Sequence, residues 1–145
     1  MSGRATRLDL GLGYDHATGA LGRYFDGLEA GRAEATRCGS CGRVWFPPHL
    51  ACPEDGGDCA WLALDGTGTV VGATDTAAPL PFGADTAPRT FVLVALDGAD
   101  NAAFGRLADG DAGAARVGMR VRLATAEGPH GHPAQAAVFK VEDGG

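Results

Sequence analysis

At 145 residues, with 45% hydrophobic and 21% charged side chains, the chain has room for one ordinary domain or two small modules sharing a core, and none for a large multidomain enzyme. Its net charge of -6, with Lys140 the single lysine beside eleven arginines, offers no cationic footprint to a phosphate backbone and argues against nucleic acid as a partner. No run approaches the ~20 apolar residues of a membrane span. The N-terminus also lacks the apolar centre of a signal peptide, so a cytoplasmic protein with no membrane partner is expected.

Residues 1–17 are polar and glycine-rich with no sustained period, and read as a flexible tail, mobile or ordered by a partner. In residues 18–31, Leu21, Tyr24, Phe25 and Leu28 stand at i, i+3, i+4 and i+7, the stripe of an amphipathic helix with Thr18 at its start and Gly31 at its end. Gly22 and Gly27 each cost about 1 kcal/mol relative to alanine. A helix this short therefore persists only with its stripe buried, against its own domain or, as a docking helix, against a partner chain.

Residues 32–60 hold all four cysteines and are broken by Pro47, Pro48, Pro53, Gly56 and Gly57, too short a stretch for a core of its own. In a reducing cytosol such a cluster reads as metal ligands or reactive thiols rather than disulfides. Cys38-Gly-Ser-Cys41-Gly is a knuckle that lets two thiolates reach one tetrahedral ion at about 2.3 Å. A second knuckle begins at Cys52-Pro53, but three positions on stands Asp55, and Cys59 comes four residues later. Three ligand sets follow: Cys38, Cys41 and Cys52 completed by Cys59, by Asp55 or by His49. The four-thiolate set is favoured, because Gly56-Gly57 lets the chain fold Cys59 back and structural zinc is usually held by sulfur and nitrogen. Such a closed site has no open position for catalysis, so a structural Zn²⁺ is expected; the alternative is a site that has lost its metal.

After Trp61 five strand-like runs are legible: 68–75, 90–97, 101–108, 119–126 and 135–141. Met119, Val121, Leu123 and Thr125 alternate with Arg120, Arg122 and Ala124 as in a half-buried strand. The run Phe91 to Leu96 is apolar on both faces and is expected to lie centrally in a small closed sheet. His130 and His132 sit in a Pro/Gly loop and read as solvated. Trp45-Phe46, beside the first knuckle, reads as cover for the cysteine segment or as lining for an apolar channel.

The ordered set Tyr24-Phe25-Asp-Gly-Leu28, Arg37-Cys38-x-x-Cys41-Gly, Pro47-Pro48, Cys52-Pro53, Trp61, Gly66-x-Gly68-Thr69-Val70, Val94-Ala-Leu96-Asp97 and Val117-Gly118-Met119-x-Val121 resembles the DUF35 proteins, also called acyl-CoA-associated zinc-ribbon/OB-fold proteins. The likeness runs from about residue 18 to 142. It implies a mainly β fold: the helical segment of residues 18–31, a rubredoxin-like zinc ribbon over 32–60, and a five-stranded OB-fold barrel over 61–145. The family's zinc ligands fall on Cys38, Cys41 and Cys52, and its fourth falls on Asp55, where this sequence departs from the pattern.

By the same resemblance the chain is a non-catalytic accessory subunit in a hetero-oligomer with a thiolase-like or lipid-transfer-type aldolase, binding acyl-CoA for a Claisen, retro-Claisen or retro-aldol step. Arg89, Arg106, Arg120 and Arg122 are then candidates for the phosphates of coenzyme A, against the plainer reading of a solvated strand face or internal ion pairs. Two other function classes stay open. A nucleic-acid-binding zinc-ribbon/OB module is disfavoured by few aromatics and negative charge. A stand-alone acyl-CoA hydrolase or transferase is disfavoured by the lack of a nucleophile elbow.

Overall fold

The computed structural model describes residues 3–77, 87–125 and 137–142. A 3₁₀ turn (Gly19–Leu21) leads into α1 (Gly22–Glu29), followed by β1 (Ala33–Cys38), β2 (Val44–Trp45) and β3 (Cys59–Leu64). These three strands form a sheet in the order β2-β1-β3, with β1 antiparallel to both neighbours. The ribbon's last strand therefore runs past Trp61, the compositional boundary between the modules.

Five further strands, β4 (Thr67–Thr76), β5 (Arg89–Leu96), β6 (Ala102–Leu107), β7 (Arg120–Ala124) and β8 (Val138–Val141), close a barrel in the order β4-β5-β6-β8-β7. All its pairings are antiparallel except β6 with β8. Closure removes the open sheet edges that a five-stranded sheet would otherwise present. Inward positions alternate along the strands: Thr90, Val92, Val94 and Leu96 on β5, Ala103 and Leu107 on β6, Val121 and Leu123 on β7 are all buried.

The barrel is tight enough to demand glycine at two places. A Cβ at Gly68 would stand 2.6 Å from the Ala95 carbonyl oxygen, and one at Gly105 would stand 2.6 Å from the Ala137 oxygen and 2.7 Å from the Phe139 ring. β5 lies centrally in the closed sheet, between β4 and β6, as its apolar run led us to expect, and its outward face leaves apolar side chains in solvent. Leu93 is 43% exposed and Phe104, its register partner on β6, 47%.

The helix stripe lies against the chain's own core. Tyr24 and Leu28 are buried, Tyr24 meets Phe46 edge-on at 5.7 Å, and both belong to one apolar cluster with Ala33, Ala35, Val70, Val121 and Phe139. Gly27, a cost to the isolated helix, is where α1 approaches β1: a Cβ there would stand 2.7 Å from Glu34 Cγ. Glu34 is in turn held by Arg23 at 2.8 Å, whose guanidinium lies 5.2 Å from the centre of the Trp61 ring. The ribbon base is also tied to the barrel, since the Val44 and Phe46 N–H groups donate to Asp100 Oδ2 at 2.8 Å and Asn101 Oδ1 at 2.9 Å.

Burial pushes the Tyr24 hydroxyl up to about 12 from about 10 in an unfolded chain. The folded state thus holds this proton more tightly, so the stability is complete below pH ~10 and is lost as pH rises through ~12. Tyr24→Phe should reduce that alkaline loss by about 2–3 kcal/mol, read from urea melts at successive pH values.

Candidate metal centre

Two loops of matching shape bring the metal donors together. In the first, the Gly42 N–H closes back on the Cys38 carbonyl at 3.0 Å with Gly42 at φ 75. In the second, the Gly56 N–H closes on the Cys52 carbonyl at 2.8 Å with Gly56 at φ 73. Positive φ is open to glycine at no steric cost, and each loop needs it at the residue that follows its second donor. Cys52-Pro53-Glu54-Asp55-Gly56 is thus a complete second knuckle with a carboxylate in the place of its second thiolate. The knuckles meet closely at Gly57, where a Cβ would stand 2.6 Å from Ser40 Oγ and 3.2 Å from Cys38 Sγ.

The donor atoms of Cys38, Cys41, Cys52 and Asp55 all lie within 4.8 Å of one another. Cys41 Sγ and Cys52 Sγ are 3.6 Å apart, and Cys38 Sγ and Asp55 Oδ1 3.4 Å. With Zn–S near 2.3 Å, a tetrahedral site has donor–donor edges of about 3.5–3.8 Å, so the residues present fit a zinc ion. Cys38 and Cys52 are buried, Cys41 and Asp55 exposed, and the centre opens to solvent along one side.

Hydrogen bonds prepare the donors for a cation. The Cys41 and Ser40 N–H groups each reach Cys38 Sγ at 3.4 Å and, led by Cys41, hold that thiol below its ordinary value. Asp55 is held low first by the Gly57 N–H, which donates to Oδ1 at 2.8 Å. Cys41 shows the opposing effect: the Arg43 N–H favours its thiolate, yet desolvation and the neighbouring sulfurs of Cys38 and Cys52 prevail and push it up to about 11. Crowded anionic donors cannot all ionise without a compensating charge, and a dication supplies one.

Cys59 stands outside this four-donor group, although the sequence favoured it as the fourth ligand. It faces Cys38 across the β1–β3 ladder, and its Sγ lies 3.8 Å from the Gly57 carbonyl. His49 turns its ring edge-on to Trp45 at 5.2 Å, and its backbone N–H and C=O are both engaged by Thr36. Asp55→Cys, which completes the second knuckle with sulfur, is expected to raise zinc affinity by about tenfold or more, measured by competition with a chromogenic chelator.

The four arginines do not form one patch. Arg120 is bound through two nitrogens to Asp97, which it holds down to about 2, and also reaches Thr69. Arg122 meets Glu142 at 3.5 Å and the Asp65 carbonyl at 3.1 Å. Arg106 pairs with Asp109 at 2.9 Å, while Arg89 stands at the start of β5. Arg106 and Lys140 line a polar cavity of about 190 Å³. Trp45 packs with Cys38 and Cys52, covering the knuckles. His130 and His132 lie outside the described residues.

The tail carries a pattern that its glycines obscured. Leu8, Leu10, Leu12 and Tyr14 alternate with Asp9, Gly11, Gly13 and Asp15 and are 78%, 93%, 91% and 77% exposed. Among the described residues no helix is long and apolar enough to cross a membrane.

Residues 25–60 match the family model of the ChsH2 rubredoxin-like zinc ribbon domain, and residues 61–126 that of the ChsH2 C-terminal OB-fold domain. Among solved structures, the chain is similar to one described as "Ltp2-ChsH2(DUF35) aldolase", with 24% identity and a TM-score of 0.61 over 88% of this chain and 98% of that one. It is also similar to a protein of unknown function from the DUF35 family of Sulfolobus solfataricus, with 16% identity and a TM-score of 0.58 over 86% of this chain and 87% of that one. No protein of curated function matches the sequence. The two domain models, adjoining without a gap over residues 25–126 on a paired-knuckle ribbon and a closed five-stranded barrel, establish that the chain belongs to the ChsH2 family of zinc-ribbon/OB-fold proteins.

Proposed function

We propose that the chain is a non-catalytic accessory subunit that docks on an aldolase of the lipid-transfer or thiolase-like type and helps bind and orient an acyl-CoA thioester. The observation that carries this reading is uncovered apolar surface. Leu8, Leu10, Leu12 and Tyr14 project from the tail, and Val71, Leu93 and Phe104 are 48%, 43% and 47% exposed on the barrel. Phe104 stacks on Phe91 at 5.4 Å beside an apolar cleft of about 290 Å³. Surfaces of this kind mark interaction sites when they are contiguous and rimmed by polar groups. Likeness to the Ltp2-ChsH2(DUF35) aldolase chain over nearly its whole length supports the class of partner.

A helper role also suits the two histidines among the described residues, since His49 packs on Trp45 and His16 lies on the exposed tail against Tyr14. Making or breaking a carbon–carbon bond would fall to groups of the partner. Cys38, Cys41, Cys52 and Asp55 would hold a structural Zn²⁺ that pins the two knuckles together. For the phosphates of coenzyme A, Arg106 is the favoured candidate of the four arginines, because Lys140 lines the same cavity, and a phosphate there would take Arg106 from its partner Asp109.

Co-expression with an aldolase-type chain from the same cell should yield one hetero-oligomer on size exclusion. Leu10→Asp with Leu12→Asp should weaken capture about tenfold or more, the effect of losing buried anchors, while leaving the melting temperature unchanged. Elution of the two chains as separate species would contradict the docking role.

A further inference from the structure

We propose that Cys38 and Cys59 are a peroxide-sensitive thiol pair, whose oxidation to a disulfide withdraws Cys38 from the metal donors. The inference rests on the zinc reading above for its consequence, and on the sheet register for the pairing itself. Cys38 on β1 stands directly opposite Cys59 on β3. The Cys38 N–H donates to Arg43 and the Cys59 N–H to Leu50, whereas the next pair along is bonded, Gly39 N–H to the Asp58 carbonyl at 3.0 Å. The two cysteines therefore occupy a non-hydrogen-bonded position of an antiparallel ladder.

At such positions opposite Cα atoms approach to about 4.5 Å and the side chains emerge on the same face. A disulfide requires Cα separations of about 4.4–6.8 Å, so the ladder already satisfies it and side-chain rotation can supply the rest. Cys38 and Cys59 pack in one cluster with Cys52 and Trp45, which brings their sulfurs to the same small volume. Cys59 is half-buried and is not one of the four metal donors, so it is the thiol in the ribbon with no metal to hold.

With hydrogen peroxide as oxidant the step balances. The Cys38 sulfur attacks one peroxide oxygen, the O–O bond breaks, and the departing hydroxide takes a proton to become water, leaving a sulfenic acid. The Cys59 sulfur then attacks the Cys38 sulfur, the S–O bond breaks, and the hydroxide leaves with the second thiol proton as water. The two sulfurs together lose two electrons and the two peroxide oxygens gain them. Cys41, Cys52 and Asp55 remain as an incomplete donor set.

The test uses the full chain loaded with zinc and treated with about one equivalent of peroxide. Digestion with trypsin and Asp-N separates Cys52 from Cys59, and fragmentation distinguishes Cys38 from Cys41. The expected product joins Cys38 to Cys59, with zinc release that dithiothreitol reverses. Cys59→Ala and Cys59→Ser should bind zinc at the wild-type stoichiometry and release it to peroxide about fivefold more slowly or less. A Cys41–Cys52 link as the main product, or wild-type release rates in both Cys59 variants, would overturn the proposal. Loss of zinc from both untreated variants would also overturn it, by making Cys59 a ligand. A wild-type chain that takes up no zinc would overturn the metal reading and the switch, while the Cys38–Cys59 link in that sample would still stand or fall on its own.

Discussion

Replacement of Cys52 by serine is expected to strip the metal from the ribbon and leave the barrel folded. Cys52 is 3% exposed and begins the second knuckle, while the neighbouring thiol of Cys59 is held in the β1–β3 ladder outside the four-donor group. Structural zinc contributes about 10–16 kcal/mol of binding free energy in small zinc-finger peptides, and the loss of a direct ligand removes more than the 10–100-fold in affinity that losing an outer hydrogen-bond partner costs. Zinc per chain after dialysis should fall from about one to below about 0.1. The damage should stay local, because Cys38, Trp45, Cys52 and Cys59 form a cluster separate from the apolar core that joins α1, the ribbon base and the barrel. Amide exchange should quicken around 38–59 and stay slow in β5, β6 and β7. Full zinc retention by the Cys52 variant would contradict the site.

Phe139→Ala should lower the unfolding free energy by about 3–5 kcal/mol, a large share of the stability of a domain this size. Phe139 is fully buried on β8, opposite Leu123 and in parallel register with Leu107. Its ring fills the space kept open by Gly105, where a Cβ would approach Cε2 to 2.7 Å. The loss has two parts, transfer of the ring to water and an unfilled cavity that the closed barrel cannot collapse. Chemical denaturation at neutral pH measures it, and a change below about 1 kcal/mol would mean that the barrel centre is not packed as described.

The barrel was legible in the sequence because its strands are short apolar runs set off by Gly, Pro and Asp, one of them, Met119 to Thr125, alternating in polarity. The runs at 68–75 and 90–97 are observed as Thr67–Thr76 and Arg89–Leu96. The ribbon strands were not legible. β1 is buried at every position but Arg37, since neighbours cover both faces, and such a strand shows no alternation. β2 has two residues, too few for any pattern.

At the metal centre, sequence spacing identified Cys38, Cys41 and Cys52 and singled out Asp55, but the choice of fourth donor turns on backbone hydrogen bonds. The Gly56 bond to Cys52 makes a second knuckle that brings Asp55 Oδ1 to 3.4 Å from Cys38 Sγ, while strand pairing holds Cys59 opposite Cys38. The alternation of Leu8, Leu10, Leu12 and Tyr14 was readable throughout, yet the interleaved Gly11 and Gly13 lower strand propensity enough to suggest coil. An apolar outer face on β5 signals burial, and composition cannot say whether the same chain supplies the cover.

The most direct test of the accessory role is the composition of what the chain brings with it from its native cell. The protein, expressed with an affinity tag and purified gently at moderate salt, should carry a thiolase-like or aldolase-like chain in near-stoichiometric amount, identified by mass spectrometry. Repeated recovery of the protein alone would contradict the account and move the assay to acyl-CoA hydrolysis and single-strand binding by the isolated subunit.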